Sequence, residues 1–209
     1  MIQFMWTVFL LVSLAGCALH TSPKTAESEE VSAPDMTGIL QLIGKHSAAH
    51  GCPVAPRIAL TNAHVIDLRP FDPEVPLTHY TYSDGDGHTG RIIPLGVERG
   101  RDLGMVEPEG EDFQHVFSLA GEPPAIGEKV WFLAYDYRST KAAYAPRIME
   151  VTVQRIVANH LILSRGGSDG SSGSCVLNAA GEVVAINAWR SELGMNSVGV
   201  AVGVWGIAQ

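Results

Sequence analysis

The sequence predicts an all-β protein, and three observations support this fold class. Beyond about residue 37, the chain consists of short apolar runs separated by turns rich in Gly, Pro and Asp. Helical periodicity is scarce after the N-terminal segment, and no repeat of fixed period is visible. Hydrophobic residues form 46% and charged residues 17% of the 209 residues, which indicates a globular domain able to bury a substantial core.

The predicted strands divide into two groups. Those of the first half cover residues 38–43, 58–60, 78–82, 91–95 and 103–106. A turn is expected at 83–87, and the Gly-Glu-Pro-Pro segment at 121–124 is expected to connect the halves. Those of the second half cover residues 129–135, 147–157, 160–163, 174–177, 182–188 and 198–204.

The N-terminus predicts a lipid anchor. Residues 2–16 are apolar but too few for a bilayer span of roughly 20 residues. They end in Leu-Ala-Gly before Cys17, which resembles a bacterial lipoprotein signal. In such signals the cysteine thiol receives a diacylglyceryl group, whose fatty acids include palmitate. We therefore expect a signal peptide at 1–16 and a lipidated Cys17 in the cell envelope, facing the periplasm. Ala18 favours the outer membrane; an uncleaved short anchor is the alternative.

Composition restricts the partners. Residues 20–35 are rich in Ser, Thr, Pro, Ala and Glu, which predicts a flexible tether and assigns 17–36 to the lipidated cysteine and linker. The formal net charge is −8 and there is no basic cluster, so nucleic-acid binding is not expected. Membrane contact is expected through the N-terminal lipid alone. The sequence does not indicate the oligomeric state.

Three segments contain the residue types needed for nucleophilic catalysis. Residues 59–64 end in His64, Asp102 opens an apolar run, and Ser172 lies in Gly-Ser-Ser-Gly-Ser at 170–174. A serine hydroxyl needs a base to remove its proton, and an aspartate holds that histidine in the correct tautomer. Ser172 is the predicted nucleophile, because Ser168, Ser171 and Ser174 lack its combination of a glycine directly after and a glycine two before.

His64 is the predicted general base and acid, and Asp102 is the predicted orienting carboxylate. The backbone amides of Gly170 and Ser172 are the candidate donors to a developing oxyanion.

These segments resemble those of trypsin-like serine proteases, most closely compact bacterial catalytic domains of the HtrA/DegP type. Residues 60–65 (LTNAHV), 102–106 (DLGMV), 126–131 (IGEKVW) and 170–178 (GSSGSCVLN) carry the resemblance, which covers roughly 37–207. It implies a protease domain at 37–209, built of two packed six-stranded antiparallel β-barrels at about 37–118 and 125–209. The active site would lie in the cleft between the barrels. The protein would be a serine endopeptidase that hydrolyses polypeptides through an acyl-enzyme.

Two departures from the family pattern support a second hypothesis. Ala188 stands where a serine commonly supports the triad carboxylate, and Arg190 replaces a usual glycine. A catalytically weak or inactive protease-like lipoprotein that binds peptides is therefore the alternative.

The resemblance also implies a substrate cleft and a cysteine pair. Gly166, Trp189, Arg190 and Gly199 are the cleft candidates, with small or apolar residues expected at the cleaved position and an acidic preference left open. The family's fold brings the strands of Cys52 and Cys175 near each other. This allows either a disulfide or two buried free thiols.

No cofactor or metal is expected from the sequence. Residues 84–87 resemble the start of a calcium loop, but its twelfth position would be Leu95 instead of glutamate. His46 and His50 are four positions apart but lack the intervening glutamate and the third ligand of a helical zinc site. His79, His88, His115 and His160 show no ligand spacing.

Overall fold

A computed structural model describes residues 32–44, 48–67, 80–135, 146–193 and 196–205. The expected signal peptide, Cys17 and most of the expected tether lie outside these ranges. Within them, no helix has the length and apolar character needed to cross a bilayer. The described part of the first half contains the short helix α1 (Ala63–Ile66) and the strands β1 (Leu40–Ile43), β2 (Ala48–Ala55), β3 (Ile58–Thr61), β4 (Tyr80–Ser83), β5 (Thr89–Glu98) and β6 (Leu103–Pro108).

The second half is built from strands alone in the described residues. They are β7 (Lys129–Tyr135), β8 (Pro146–Val157), β9 (His160–Leu163), β10 (Cys175–Leu177), β11 (Val183–Leu193) and β12 (Asn196–Gly203). Each half closes into an antiparallel barrel, in the orders β1-β2-β3-β6-β5-β4 and β10-β11-β12-β9-β8-β7. The predicted fold of two six-stranded barrels is confirmed. Among the described strands, closure leaves no exposed sheet edge to pair with other chains.

Strand β2, which the family resemblance implied at Cys52, is an element that the apolar runs did not locate. It contains Gly51 and Pro53, residues that usually interrupt strands. The structure accommodates them with a register shift between Pro53 and Ala55 in the pairing with β3. Strand β5 is longer than expected for the same reason, because a second irregularity between Pro94 and Gly96 lets it continue. At these positions the strands continue through bulges, whereas their Gly and Pro residues predict that the strands would end.

A shared apolar cluster joins the two barrels. It contains Leu60 and Leu103 from the first half with Trp131, Leu177 and Ile186 from the second, and all five are nearly or fully buried. Two further clusters fill the individual barrels. Burial of this continuous surface favours one relative position of the barrels, since apolar area contributes roughly 25 cal/mol per Å² removed from water.

A disulfide crosses the same cluster. Cys52 of β2 and Cys175 of β10 are fully buried and joined, with their Cα atoms 5.1 Å apart. The two cysteines are separated by 123 positions in sequence, so the bond closes a long loop in the unfolded chain. It also ties the strand that precedes the His64 segment to the strand that leaves the Ser172 loop.

Replacing both cysteines should therefore lower stability without changing the fold. For the Cys52→Ala/Cys175→Ala variant we expect a loss of about 2–4 kcal/mol in the free energy of unfolding, or a fall of roughly 5–15 °C in Tm. The measurement is thermal denaturation under oxidising conditions. Adding a thiol reductant to the unfolded wild type and refolding should reproduce the loss, whereas an unchanged Tm in the variant would contradict the stabilising role.

Candidate active site

The His64 segment is held by the backbone and side chain of Asp102. His64 lies in α1, whose N-cap residue Asn62 makes no side-chain capping bond. Instead, one carboxylate oxygen of Asp102, Oδ1, accepts a hydrogen bond from the His64 amide at 3.0 Å. The Asp102 carbonyl accepts bonds from the Ala63 amide at 3.2 Å and from Asn62 Nδ2 at 3.1 Å. Asp102 therefore satisfies donors that the short helix leaves open.

Asp102 adopts a backbone conformation that few residues tolerate. Its φ is +54°, in the left-handed region, at the turn that leads into β6. Asp is one of the few side chains that visit this region without a large steric cost. The second carboxylate oxygen, Oδ2, accepts a bond from His64 Nδ1 at 2.8 Å. Since a carboxylate only accepts, Nδ1 carries the proton and Nε2 is left as the basic nitrogen.

Ser172 completes the arrangement from the second barrel. Its Oγ lies 3.0 Å from His64 Nε2 and 2.8 Å from the carbonyl oxygen of Ala188. The hydroxyl has one proton, so these two acceptors compete for it. The structure thus places all three predicted residues within hydrogen-bonding distance in the order Asp102, His64, Ser172. The side chains of His64 and Asp102 are 38% and 19% exposed, so the site is accessible yet partly shielded.

Glycines shape the loop that presents Ser172. Gly170 and Gly173 have φ values of +83° and +86°, which side chains rarely adopt. A Cβ on Gly173 would lie 1.9 Å from the carbonyl oxygen of His50, so that position has no room for a side chain. Asn187 holds the loop from β11, since its carbonyl accepts from the Gly173 amide at 2.8 Å and its Nδ2 donates to the Ser171 carbonyl at 2.9 Å.

The amides of Gly170 and Ser172 are available to a ligand. Among the described residues, neither amide donates to a backbone carbonyl, although the intervening Ser171 amide donates to the Ser168 carbonyl at 3.1 Å. Two unoccupied N–H groups on either side of a bonded one match the requirement for an oxyanion site, in which donors must be fixed before the charge develops.

His50 is a residue of this site that the sequence reasoning missed. Its amide donates to the Ser172 carbonyl at 2.7 Å, and its ring Nδ1 donates to the Gly170 carbonyl at 2.9 Å. The ring is fully buried. Burial lowers the pKa of His50 to about 4, although the bond to the Gly170 carbonyl opposes that shift. His50 therefore positions the serine loop as a neutral donor. Its place in strand β2, which the apolar runs did not locate, concealed this role.

His64 and Ser172 line a cleft of about 240 Å³. Trp189 and Arg190, both predicted for the cleft, line it and are exposed. Gly166 and Gly199 pack against each other beside the stem of Arg190, and Gly167 is the glycine that borders the cleft. The remaining walls are mainly small side chains. The Trp189 ring also contacts the His160 ring, with centroids 5.8 Å apart.

Comparison with known proteins agrees with this architecture. A family model described as a trypsin-like peptidase domain matches residues 47–186. No curated protein sequence matches the chain. The structure is similar to a serine endoprotease from Yersinia pestis, with a TM-score of 0.65 and 18% identity over 80% of this chain and 59% of that one. It is also similar to a Glu endopeptidase, with a TM-score of 0.68 and 14% identity over 83% and 87% of the two chains.

The match over residues 47–186 shows that the chain belongs to the trypsin-like peptidase family, a class of serine-type endopeptidases. The two solved structures, at 18% and 14% identity, support the fold alone. The chain spans 59% of the length of the Yersinia protein.

The buried His50 predicts a specific pH dependence of stability. The unfolded histidine has a pKa near 6.5 and the folded one about 4, so the unfolded state binds the proton more readily between these values. Stability from this residue is complete above pH 6.5 and is lost as the pH falls towards 4, by up to about 3 kcal/mol.

Urea denaturation of the wild type and His50→Gln between about pH 7 and pH 4 measures this dependence. We expect the wild type to lose more stability than the variant on acidification. Parallel losses in the two proteins would show that His50 does not titrate in this way.

Proposed function

We propose that this protein hydrolyses peptide bonds with Ser172 as the nucleophile. The observation that carries the proposal is the alignment of three side chains: Asp102 Oδ2 lies 2.8 Å from His64 Nδ1, and His64 Nε2 lies 3.0 Å from Ser172 Oγ. The order of the groups is that required for general-base activation of an alcohol. Membership of the trypsin-like peptidase family supports the same reaction class.

The proposed reaction proceeds through an acyl-enzyme. His64 Nε2 takes the hydroxyl proton of Ser172 as Oγ bonds to the carbonyl carbon, and Asp102 stabilises the imidazolium that forms. The amides of Gly170 and Ser172 donate to the resulting oxyanion. His64 then transfers its proton to the leaving amine, and the carbon–nitrogen bond breaks. Water, deprotonated by His64, attacks the ester carbonyl; the bond to Ser172 Oγ breaks, and His64 returns the proton to Oγ as the acid leaves.

Two features of the resting site bear on the alternative of an inactive binding module. The Ser172 hydroxyl must turn from the Ala188 carbonyl to His64, a rotation about one side-chain bond between two acceptors already within reach. Ala188 supplies no hydroxyl to Asp102, but the His64 amide already occupies Oδ1 of that carboxylate. Neither feature removes an atom that the reaction needs, so the geometry favours the enzyme.

Substrates are proposed to be polypeptides with a small, uncharged residue at the cleaved position. The small residues Gly167, Ser168 and Ala188 line the cleft beside the Trp189 indole. Arg190 and Asp169 bring opposite charges to the same cleft, so the charges of its lining do not favour a single sign of substrate.

The location is a separate proposal that rests on the N-terminal sequence. We propose that Cys17 is lipidated after removal of residues 1–16, and that the linker holds the protease domain at the periplasmic face of the cell envelope. The apolar run ending in Leu-Ala-Gly before Cys17 supports this proposal.

Loss of the nucleophile should abolish reaction with fluorophosphonate probes. We expect wild-type protein to be labelled and Ser172→Ala to remain unlabelled, with peptide hydrolysis reduced on the order of a million-fold. Ser118→Ala is the matched control, because Ser118 is exposed in the connection between the barrels. In-gel fluorescence and turnover of a fluorogenic peptide library provide the measurements. Labelling of Ser172→Ala at the wild-type level would refute the assignment.

Replacement of Cys17 tests the anchor independently of catalysis. In cells fed radioactive palmitate, the wild type should incorporate label and Cys17→Ala should not, because the thiol is the acceptor. The variant should also retain its signal segment and migrate at higher mass. Equal incorporation by the two proteins would exclude lipidation at Cys17.

A further inference from the structure

An exposed cluster on the first barrel brings two histidines and two aspartates together. Asp84 and Asp86 lie in the turn between β4 and β5, and His88 ends that turn. His115 comes from the segment that follows β6. One candidate ligand atom each from Asp84, His88 and His115 lies within 4.8 Å of the others. Sequence spacing does not reveal the cluster, because His115 is distant from the turn along the chain.

Asp84 is the rigid member of the cluster. Its side chain is 4% exposed, and its Oδ1 accepts from the Asp86 and His88 amides at 3.0 and 2.9 Å. These bonds fix the turn and direct the other oxygen, Oδ2, to His88 Nδ1 at 2.9 Å. Asp86 forms the second pair, with its Oδ2 2.5 Å from His115 Nε2. The two histidine rings have centroids 6.4 Å apart.

We propose that Asp84, His88 and His115 bind a divalent transition-metal ion of the zinc type, with Asp86 as the fourth ligand. Tetrahedral zinc places its nitrogen and oxygen ligands about 2.0–2.2 Å from the ion, and hence about 3.3 Å from one another. The paired atoms now at 2.5–2.9 Å need to separate slightly, and the others need to approach. His88, Asp86 and His115 have exposed side chains free to make such movements, whereas Asp84 remains fixed.

The donor types select the class of ion. Two imidazoles with two carboxylates suit Zn²⁺ and its neighbours Co²⁺, Ni²⁺ and Cu²⁺, whereas Ca²⁺ and Mg²⁺ prefer oxygen ligands throughout. The charges also balance, since two carboxylates neutralise a divalent ion bound with two neutral imidazoles.

Metal binding would join three segments of the first barrel. The Gly85 amide in the turn donates to the Thr37 carbonyl at 2.7 Å, and Gly38 is packed against His115. An ion at the cluster would therefore hold the turn, the segment after β6 and the start of the described domain together. None of its ligands belongs to the triad. The expected consequence is stability of the folded domain, without a step in peptide hydrolysis.

Zinc binding by the full-length protein, purified without a histidine tag, tests the proposal. A Ser172→Ala background prevents self-cleavage. Competition with a chromophoric chelator should reveal one bound Zn²⁺ per chain, and Co²⁺ should give the intense visible absorption of a tetrahedral site. At about 100 times the dissociation constant, Zn²⁺ should raise the Tm by roughly 5–10 °C, and a chelator should reverse the rise.

Variants of His88 and His115 distinguish this site from others. His88→Gln and His115→Gln should each weaken zinc binding at least about tenfold and abolish the Tm shift. His160→Gln is the matched control and should bind as the parent does. Unchanged zinc affinity in the first two variants, or no zinc binding by the parent, would overturn the proposal. A Ca²⁺-induced shift larger than that of Zn²⁺ would overturn the proposed ion class.

Discussion

The contact between His64 and Ser172 depends on how the two barrels are held together. His64 and Asp102 come from the first barrel and Ser172 from the second, so the 3.0 Å separation of His64 Nε2 and Ser172 Oγ spans the junction. Three structural features maintain it: the shared apolar cluster, the Cys52–Cys175 disulfide and the backbone bond from His50 to Ser172. Apolar packing resists separation of the barrels, and the two local ties act next to His64 and Ser172. The arrangement of Asp102, His64 and Ser172 thus depends on the interface and not on either barrel alone.

Strand β2 connects fold and site most closely. It pairs with β1 and β3 inside the first barrel, yet its His50 contacts both Gly170 and Ser172 through hydrogen bonds. The absence of a side chain at Gly173 allows that approach, because a Cβ there would meet the His50 carbonyl. The neutral, buried state of His50 suits this position, since a protonated ring would place a charge in an apolar environment. Strand β2 therefore connects the packing of the two barrels, the conformation of the Ser172 loop and the neutral state of the His50 ring.

Much of this organisation could be predicted, and the failures have physical causes. The apolar runs located eleven of the twelve described strands, and the sequence contexts of Asp102, His64 and Ser172 identified residues that the structure brings together. Strand β2 was missed because its Gly and Pro residues are accommodated by a bulge. His50 lies in that strand and was therefore missed too, because its role depends on hydrogen bonds to Gly170 and Ser172 in the other barrel. The cluster of Asp84, His88 and His115 was missed because folding alone creates its proximity. Periodicity detects strands; it does not detect contacts between distant segments.

The most direct test of the central claim is the protonation state of His64 observed by nitrogen-15 and proton NMR. If Asp102, His64 and Ser172 form one hydrogen-bonded series, Nδ1 carries a strongly deshielded proton protected from solvent, and Nε2 is unprotonated and sensitive to Ser172→Ala. Replacing Asp102 with Asn should remove that proton signal. Two results would contradict the account. In one, the ring proton of His64 resides mainly on Nε2; in the other, it exchanges freely with water and its signal is unchanged by Ser172→Ala and by Asp102→Asn.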